Sequence, residues 1–468
     1  MLSISPLSAE VAALREGLAG DVVLPGDAGW DAARQAWNLA ADQRPALVAL
    51  PECAADVQAL VDFSRTRGLR VAMQGTGHNA VPMGPLDDTV LVKTERMRGV
   101  EIDERNCVAR VEAGALWIDV TAPASEAGLA PLAGSSPDVG VVGYTLGGGL
   151  SWLGRKYGLA ANRLLSAEVV TADGRLVHAS RHENPELFWA LRGGGGNFGA
   201  VVAIEFELIP MRSVYAGMML FPWDRAREIL QAWREWTATV PESVTTSARI
   251  MQFPPMEELP PFLRGRTVAV VDGAVLGSDA EGERMVAGLR ALEPELDTFG
   301  RQPAADLARL HMDPEGPSPF ASDSRMLGSF PEAAVDAFLE QVGPDATSSL
   351  LVAELRQLGG ALARPHEGGG VLSHLEGEFV SFAGGIAATP EMGAAAHADA
   401  TELMTALDPW GNGRQYLNFA EAAVDTRVAY QDSAWTQLAG IRSAVDPHGT
   451  FVANHPVPRL YEDGVAAR

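Results

Sequence analysis

Three glycine-rich stretches constrain this chain most strongly. They are Gly75-Thr76-Gly77-His78, then Gly143-Tyr144-Thr145-Leu146-Gly147-Gly148-Gly149, then the glycine cluster of 193–199. All three lie in one region of alternating strand and helix patterns. Glycine lets the backbone approach a ligand closely and adopt positive φ, so N–H groups can surround a pyrophosphate. A helix start behind such a loop adds favourable partial charge. One such loop marks an ordinary turn; three within one α/β unit point to a dinucleotide. The Rossmann fingerprint is absent, because the third glycine after Gly75 and Gly77 would fall at Ala80. No Walker lysine follows Gly147-Gly148-Gly149.

The surrounding pattern is that of a layered domain. Residues 46–50 read as a strand stopped by Pro51. A helix over 56–67 follows, with Val57, Leu60, Val61 and Ser64 on one face and Gly68 as terminator. The strand 69–73 runs directly into the first glycine loop. Further strands are expected at 90–92, 100–103 and 107–113, and a hairpin over 165–177 around Ala172-Asp173-Gly174-Arg175. Asn184-Pro185 supplies a capping side chain and a first-turn proline ahead of a helix over 186–191. Val202, Ile204, Phe206 and Leu208 then form a period-two strand closed by Pro210.

Residues 213–410 differ in texture, with helices expected at 224–238, 281–291, 331–342 and 390–406. Strands are expected near 267–272, 347–353 and 378–382, the second turning sharply at Gly359-Gly360. The segment 411–468 carries Tyr416-Leu417-Asn418-Phe419, then a helix with Trp435, Leu438, Ile441 and Val445 facing one way, and is expected to pack back on the first domain.

At 468 residues the chain is long enough for about three lobes of roughly 150 residues. A formal net charge of -24 gives an acidic surface that repels phosphate backbones and anionic lipid, so nucleic-acid and membrane partners are not expected. Only Cys53 and Cys107 are present, read as small buried hydrophobes in a reducing compartment. Residues 1–20 read as a short amphipathic helix and not a secretory signal, and a cytoplasmic location is expected. Lysine occurs only at Lys93 and Lys156, which hints at a GC-rich bacterial genome. No metal site is expected, because His448 and His455 lack a carboxylate pair at a familiar ligand spacing and read as solvated or capping histidines. No Gly-x-Ser-x-Gly elbow appears, so a serine hydrolase is not favoured. Trp152 and Trp410 read as core packing, with an aromatic pocket as the second use.

Taken together, Arg44-Pro45-Ala46, the first loop with His78, and Ser136-Pro137-Asp138-Val139-Gly140 ahead of Gly147-Gly148-Gly149 resemble the FAD-binding domain of p-cresol-methylhydroxylase-type flavoproteins, the vanillyl-alcohol-oxidase superfamily. Tyr416-x-Asn418-Phe419 and Asp446-Pro447 to Phe451 are similar to its berberine-bridge-enzyme-like branch. The resemblance implies an α+β fold: a two-subdomain FAD-binding domain over 1–212, with its core at about 42–212, and a substrate domain of antiparallel sheet and helices over 213–410. The segment 411–468 would return to the FAD domain.

It also implies FAD joined covalently through His78. Gln74, Gly75, Thr76, Gly77, Asn79, Ser136, Val139, Gly140, Gly143, Gly147, Gly149, Gly199, Val202, Asn418 and Asn454 would contact the cofactor. Ser136 stands where doubly tethered relatives carry cysteine and cannot form a thioether, so a single link is expected. Gln74 replaces a common arginine, and Val139 occupies a position where a small residue admits O₂. Tyr416 and Tyr144 are the catalytic candidates. A phenol with a pKa of about 10 is a weak base at neutral pH, so Tyr416 would need a neighbouring donor or a relay. The implied activity is two-electron oxidation of an alcohol or amine carbon in a small organic substrate, with O₂ as acceptor and H₂O₂ as product. A dehydrogenase using another acceptor, and a catalytically silent flavin or small-molecule binder, are the alternatives. Neither substrate identity nor oligomeric state is legible.

Overall fold

The computed structural model describes residues 4–257 and 259–460. Residues 1–3 of the expected first helix and 461–468 of the expected last segment lie outside the described residues. The helix itself runs Ile4–Gly17.

Three large sheets, with a two-stranded one pairing Leu129–Ala130 and Ile209–Pro210, organise the described residues. The first has the order Asp21–Val23, Leu47–Leu50, Thr89–Lys93, Arg70–Gln74, Phe451–Val452. All its neighbours beyond the first pair are parallel. Leu47–Leu50 and Thr89–Lys93 are buried along their whole length, as expected for parallel strands covered on both faces. Helix Ala54–Arg67 covers this sheet with Val57, Leu60, Val61 and Ser64, and Gly68 ends it at φ 65°. Phe451–Val452 brings the tail beside Arg70–Gln74, the strand that carries the first glycine loop.

The second sheet is antiparallel: Val100–Asp103, Val108–Glu112, Ala200–Glu207, Leu164–Val170, Leu176–Ser180. The hairpin at Gly174 forms as the sequence demands, with Thr171 N–H on the Arg175 carbonyl at 2.9 Å. Asn184 does not cap its helix. It sits at φ 47°, and its amide donates to the His178 carbonyl at 2.7 Å, closing the preceding turn instead.

The third sheet has eight strands, all antiparallel: the path runs Leu296–Asp297, Ser213–Pro222, Thr267–Val275, Val244–Gln252, Val352–Gln357, Phe379–Ile386, Phe320–Leu327, and Gly300–Pro303 pairs with Ser213–Pro222. Helices Ala226–Thr237, Asp279–Arg290, Glu332–Val342 and Pro390–Leu407 pack on it around Trp233, Phe338 and Leu403. Two caps fix helix starts: Ser278 with Glu281 in a reciprocal box, and Thr389 ahead of Pro390.

Three long strands of this sheet carry no clear signal in sequence. Ser213–Pro222 is buried on both faces and so shows no alternation. Val244–Gln252 hides its pattern by burying Thr246, Ser247 and Arg249. Phe320–Leu327 alternates, but around Ser322 and Ser324 as the inward residues. The strand expected at 347–353 begins only at Val352. Cys53 and Cys107 are free and half-buried, not fully buried: Cys53 is the entry residue of a helix and Cys107 a turn residue at φ 55°.

Candidate functional site

The first glycine loop turns over the end of Arg70–Gln74. Trp37 and Asn38 donate their N–H groups to the carbonyls of Thr76 and Gly77 at 2.8 and 3.3 Å. A trans peptide points N–H opposite to C=O, so the N–H groups of Gly77 and His78 face the other side. Gly77 takes φ 86°, and a Cβ there would lie 2.8 Å from both Ala36 Cβ and the Gln74 amide, so only glycine fits.

The His78 imidazole stacks on Trp37 at 3.9 Å between centroids and 16° between planes. Its Nδ1 lies 2.7 Å from the Thr76 hydroxyl, and its Nε2 lies 3.6 Å from Asp138 Oδ1. Asp138 Oδ2 accepts from the Trp37 indole and the Gly316 N–H, both at 2.7 Å. Burial raises the Asp138 pKa, but His78 and these donors outweigh it and bring the carboxyl down to about 2.

A second corner is built from the middle loop and the tail. Residues 141–146 of that loop form a short helix, which the sequence reading took as loop. Asn418 donates its amide to the Tyr144 carbonyl at 3.0 Å and to the Tyr416 hydroxyl at 3.2 Å. It does so from a 3-10 turn, Leu417–Phe419. A Cβ on Gly147 would stand 1.8 Å from Asn418 Oδ1. Gly149 is closed off by Tyr144 and Ala160, and Gly199 by Val169. These three glycines are therefore explained by protein packing. By contrast a Cβ on Gly143 or Gly196 would meet nothing within 4 Å. The open glycines are a subset of the loops.

Tyr416 is 1% exposed, and burial drives its pKa upward against the Asn418 and backbone hydrogen bonds. Tyr144 is shifted upward by burial and by Tyr416, and its hydroxyl donates to the Leu132 carbonyl at 3.1 Å. A structural role therefore already satisfies Tyr144.

Behind these tyrosines the third sheet carries a chain of buried charges. Arg249 Nη2 reaches Asp272 at 2.6 Å, Asp272 meets His311 Nδ1 at 3.0 Å, and His311 Nε2 meets Glu354 at 3.3 Å. Arg356 then pairs with Glu354 at 2.5 Å, donates to Ser135 Oγ at 3.2 Å, and lies 5.0 Å from the Phe419 ring centre. Phe419 in turn contacts Tyr416 edge-on at 5.3 Å. Burial and Arg249 lower the His311 pKa, yet Glu354 and Asp272 prevail and raise it. Trp152 packs 5.6 Å from His311, whereas Trp410 lies against the third-sheet core.

The remaining sequence candidates are dispersed around the two corners. Ser136 donates to Asp313 at 2.6 Å, and the Val139 carbonyl takes the Trp117 N–H. A Cβ on Gly140 or Gly75 would meet ordinary contacts at 3.7 and 3.6 Å. Asn79 donates to the Leu417 carbonyl at 3.1 Å, tying the first loop to the tail. Val202 is buried in a bulge of its strand, and Asn454 is half-buried. His455 is not solvated: it is 6% exposed, with Nε2 donating to the Ala420 carbonyl at 3.0 Å, and burial lowers its pKa to about 4. Sequence reasoning missed Trp37, which carries no local motif. It also missed Arg356, which is visible only once its strand is paired. Asp138 lay inside a quoted motif without a role.

The fit to a dinucleotide rests on orphaned polar atoms. Buried side-chain atoms without a partner include both amide atoms of Gln74, His78 Nε2, Asn79 Oδ1, Asp138 Oδ1 and Thr145 Oγ1. Such groups are costly when left unmade, by about 1–3 kcal/mol each; these six lie in or beside the first two glycine loops, while others are spread through the rest of the chain.

Comparison with known proteins agrees. Residues 45–180 match the FAD binding domain family. The chain is 28% identical to (R)-6-hydroxynicotine oxidase of Paenarthrobacter nicotinovorans, over 94% of this chain and 96% of that protein. The wild-type BBE-like 1 protein of Physcomitrella patens superposes with a TM-score of 0.81 at 19% identity, covering 96% of this chain and 99% of that one. Glucooligosaccharide oxidase from Acremonium strictum, described with a 6-S-cysteinyl, 8α-N1-histidyl FAD, gives 0.81 at 21% identity, with coverage of 96% and 99%. Fold and site thus define an FAD-dependent oxidoreductase. These similarities support a p-cresol-methylhydroxylase-type FAD oxidoreductase of the vanillyl-alcohol-oxidase superfamily, and the chain has the berberine-bridge-enzyme-like fold.

Proposed function

We propose that this enzyme is an oxidase that takes a hydride from an alcohol or amine carbon of a small organic substrate, holds FAD through a single covalent link to His78, and uses O₂ as acceptor with release of H₂O₂. One observation carries the reading: an imidazole at the end of the first glycine loop, amid orphaned buried polar atoms. The names of the relatives, oxidases of an amine and of sugars, support it. Residues 1–212 and 411–460 would hold the cofactor, and the sheet over 213–410 would cover its reactive face.

FAD, when bound, supplies the two-electron acceptor. Gly75, Thr76, Gly77, Gly140 and Gly143 would offer it backbone, with Gln74, Asn79, Val139, Val202 and Asn454 beside them. Tyr416 would take the proton that accompanies the hydride. Burial holds the Tyr416 pKa above that of a free phenol, and Asn418 at 3.2 Å and Arg356 across Phe419 offset part of that cost of forming the phenolate. Tyr144 would shape the wall. Ser136 gives no sulfur for a second link. Among the described residues no helix is long and apolar enough to cross a membrane.

The test has two arms. Acid-precipitated protein should retain flavin fluorescence, and His78→Ala should lose it. Under anaerobic conditions a panel of alcohols and amines should include one that bleaches the flavin. Admitting air should then restore colour with one H₂O₂ per flavin. Protein that carries no flavin would sink the reading, and bleached flavin that air leaves reduced would sink the oxidase part of it.

A further inference from the structure

We propose that Asp138 is a positioning residue for the covalent attachment of the flavin: it accepts a hydrogen bond from the Nε2–H of His78 and so presents Nδ1 as the nucleophile. The inference rests on the covalent reading of His78 above and assigns a device that would make it work.

Five contacts define the geometry. Trp37 stacks on the imidazole and fixes its plane. The same indole donates to Asp138 Oδ2, so one side chain orients both the ring and the carboxylate. Gly316 N–H holds that oxygen from the opposite segment. The other oxygen, Oδ1, is buried, has no hydrogen-bond partner and stands 3.6 Å from His78 Nε2, which is likewise buried and unpartnered. Two orphaned groups of complementary type, aimed at each other across a few tenths of an ångström beyond hydrogen-bond range, close readily when the pocket fills. On the other edge of the ring the Thr76 hydroxyl at 2.7 Å is a donor suited to a bare Nδ1. A histidine held by a carboxylate on one nitrogen exposes its lone pair on the other, the same logic by which a buried aspartate sets the tautomer of a catalytic histidine.

The chemistry balances with the acceptor already named. The Nδ1–carbon bond forms at the ring methyl, and one C–H bond of that methyl breaks. Alkylation at Nδ1 makes the imidazole cationic, and the Nε2 proton passes out by way of Asp138. The electron pair from the lost C–H enters the ring system, where both protons also end. O₂ then removes two electrons and two protons and leaves as H₂O₂. Asp138 touches His78 and not the reacting carbon, so it positions and does not itself bond. Stacked Trp37 favours the transient cation further.

The experiment uses apo-protein from riboflavin-starved cells, to which FAD is added. Covalent incorporation is followed by fluorescence in denaturing gels and by intact mass, and total bound FAD by gel filtration. Asp138→Asn should bind FAD as the wild type does and attach it at least tenfold more slowly. Asp138→Glu should recover part of the rate. Attachment by Asp138→Asn at the wild-type rate would overturn the proposal. So would a loss of bound FAD matching the loss of adduct, since that marks a merely structural role that Asp138→Glu does not rescue. If the wild type itself shows no adduct, the covalent reading fails first and is recognised as such. Should Asp138→Asn not fold, ¹⁵N-histidine spectra of wild-type apo-protein decide, with His78→Ala giving the assignment. An Nε2–H tautomer supports the proposal, and an Nδ1–H tautomer refutes it.

Discussion

The first glycine loop and the charged strands of the third sheet both contribute to the candidate region and are built on opposite principles. The loop consists of backbone and one ring: Gly77 at φ 86°, carbonyls fixed by Trp37 and Asn38, and His78 stacked on an indole. The sheet contributes Arg249, Asp272, Glu354 and Arg356, and the turn after Ala304–Arg309 adds His311, linked into one largely buried chain. A backbone cradle tolerates little change in shape but carries little charge. A buried ionic chain tolerates little change in charge, because each member removed strands its neighbours. The two walls should therefore fail in different ways.

The largest effect is expected on the charged side. Asp272→Asn leaves Arg249 and His311 facing each other without their shared anion, and should cost about 3–5 kcal/mol in urea unfolding. A loss below about 1 kcal/mol would mean the chain is not a stability element. Tyr416→Phe should lower turnover on any bleaching substrate by about 100-fold, with little change in melting temperature. Equal losses in both would return Tyr416 to a packing role. On the backbone side, Gly147→Ala drives a methyl into Asn418 and should cost about 1–3 kcal/mol. Gly143→Ala meets open space, should stay within about 0.5 kcal/mol in unfolding, and should weaken FAD retention. If both glycine variants behave alike, the division into packing and ligand-facing glycines is wrong.

The smallest expected effect lies where the walls meet. Glu421, on the tail, accepts from Ser322 of the third sheet at 2.8 Å, and burial raises its pKa from 4.5 to about 7. A carboxyl whose folded pKa is raised stabilises most when protonated. That contribution is present below about pH 4.5 and is lost as pH rises through 7. Glu421→Gln should flatten the fall in melting temperature between those limits. An unchanged profile would show that the group titrates normally.

How much was legible follows the same division. The parallel strands Leu47–Leu50, Arg70–Gln74 and Thr89–Lys93, their covering helix, the hairpin at Gly174 and the helices of 213–410 are legible, because each is announced by period, cap or turn within a few residues, whereas the strand Phe451–Val452 is not. Neither is the strand Val244–Gln252, since its inward positions are Thr246, Ser247 and Arg249, polar residues whose partners lie on Thr267–Val275 and beyond. Asn184 looks like a cap, but its side-chain nitrogen donates to the His178 carbonyl and no helix N–H reaches its oxygen.

By itself the sequence determined that this chain holds a dinucleotide-binding α/β unit with a histidine at the end of one loop. Glycine, proline and hydrophobic period act locally, and local conformation survives without knowledge of the rest. Only the tertiary structure decided which glycines face open space, that Trp37 and Asp138 flank His78, and that Arg356 stands behind Tyr416 and Phe419. Those relations join residues far apart in the chain, 101 positions for Trp37 and Asp138, and are set by strand pairing and burial that no short window of sequence contains.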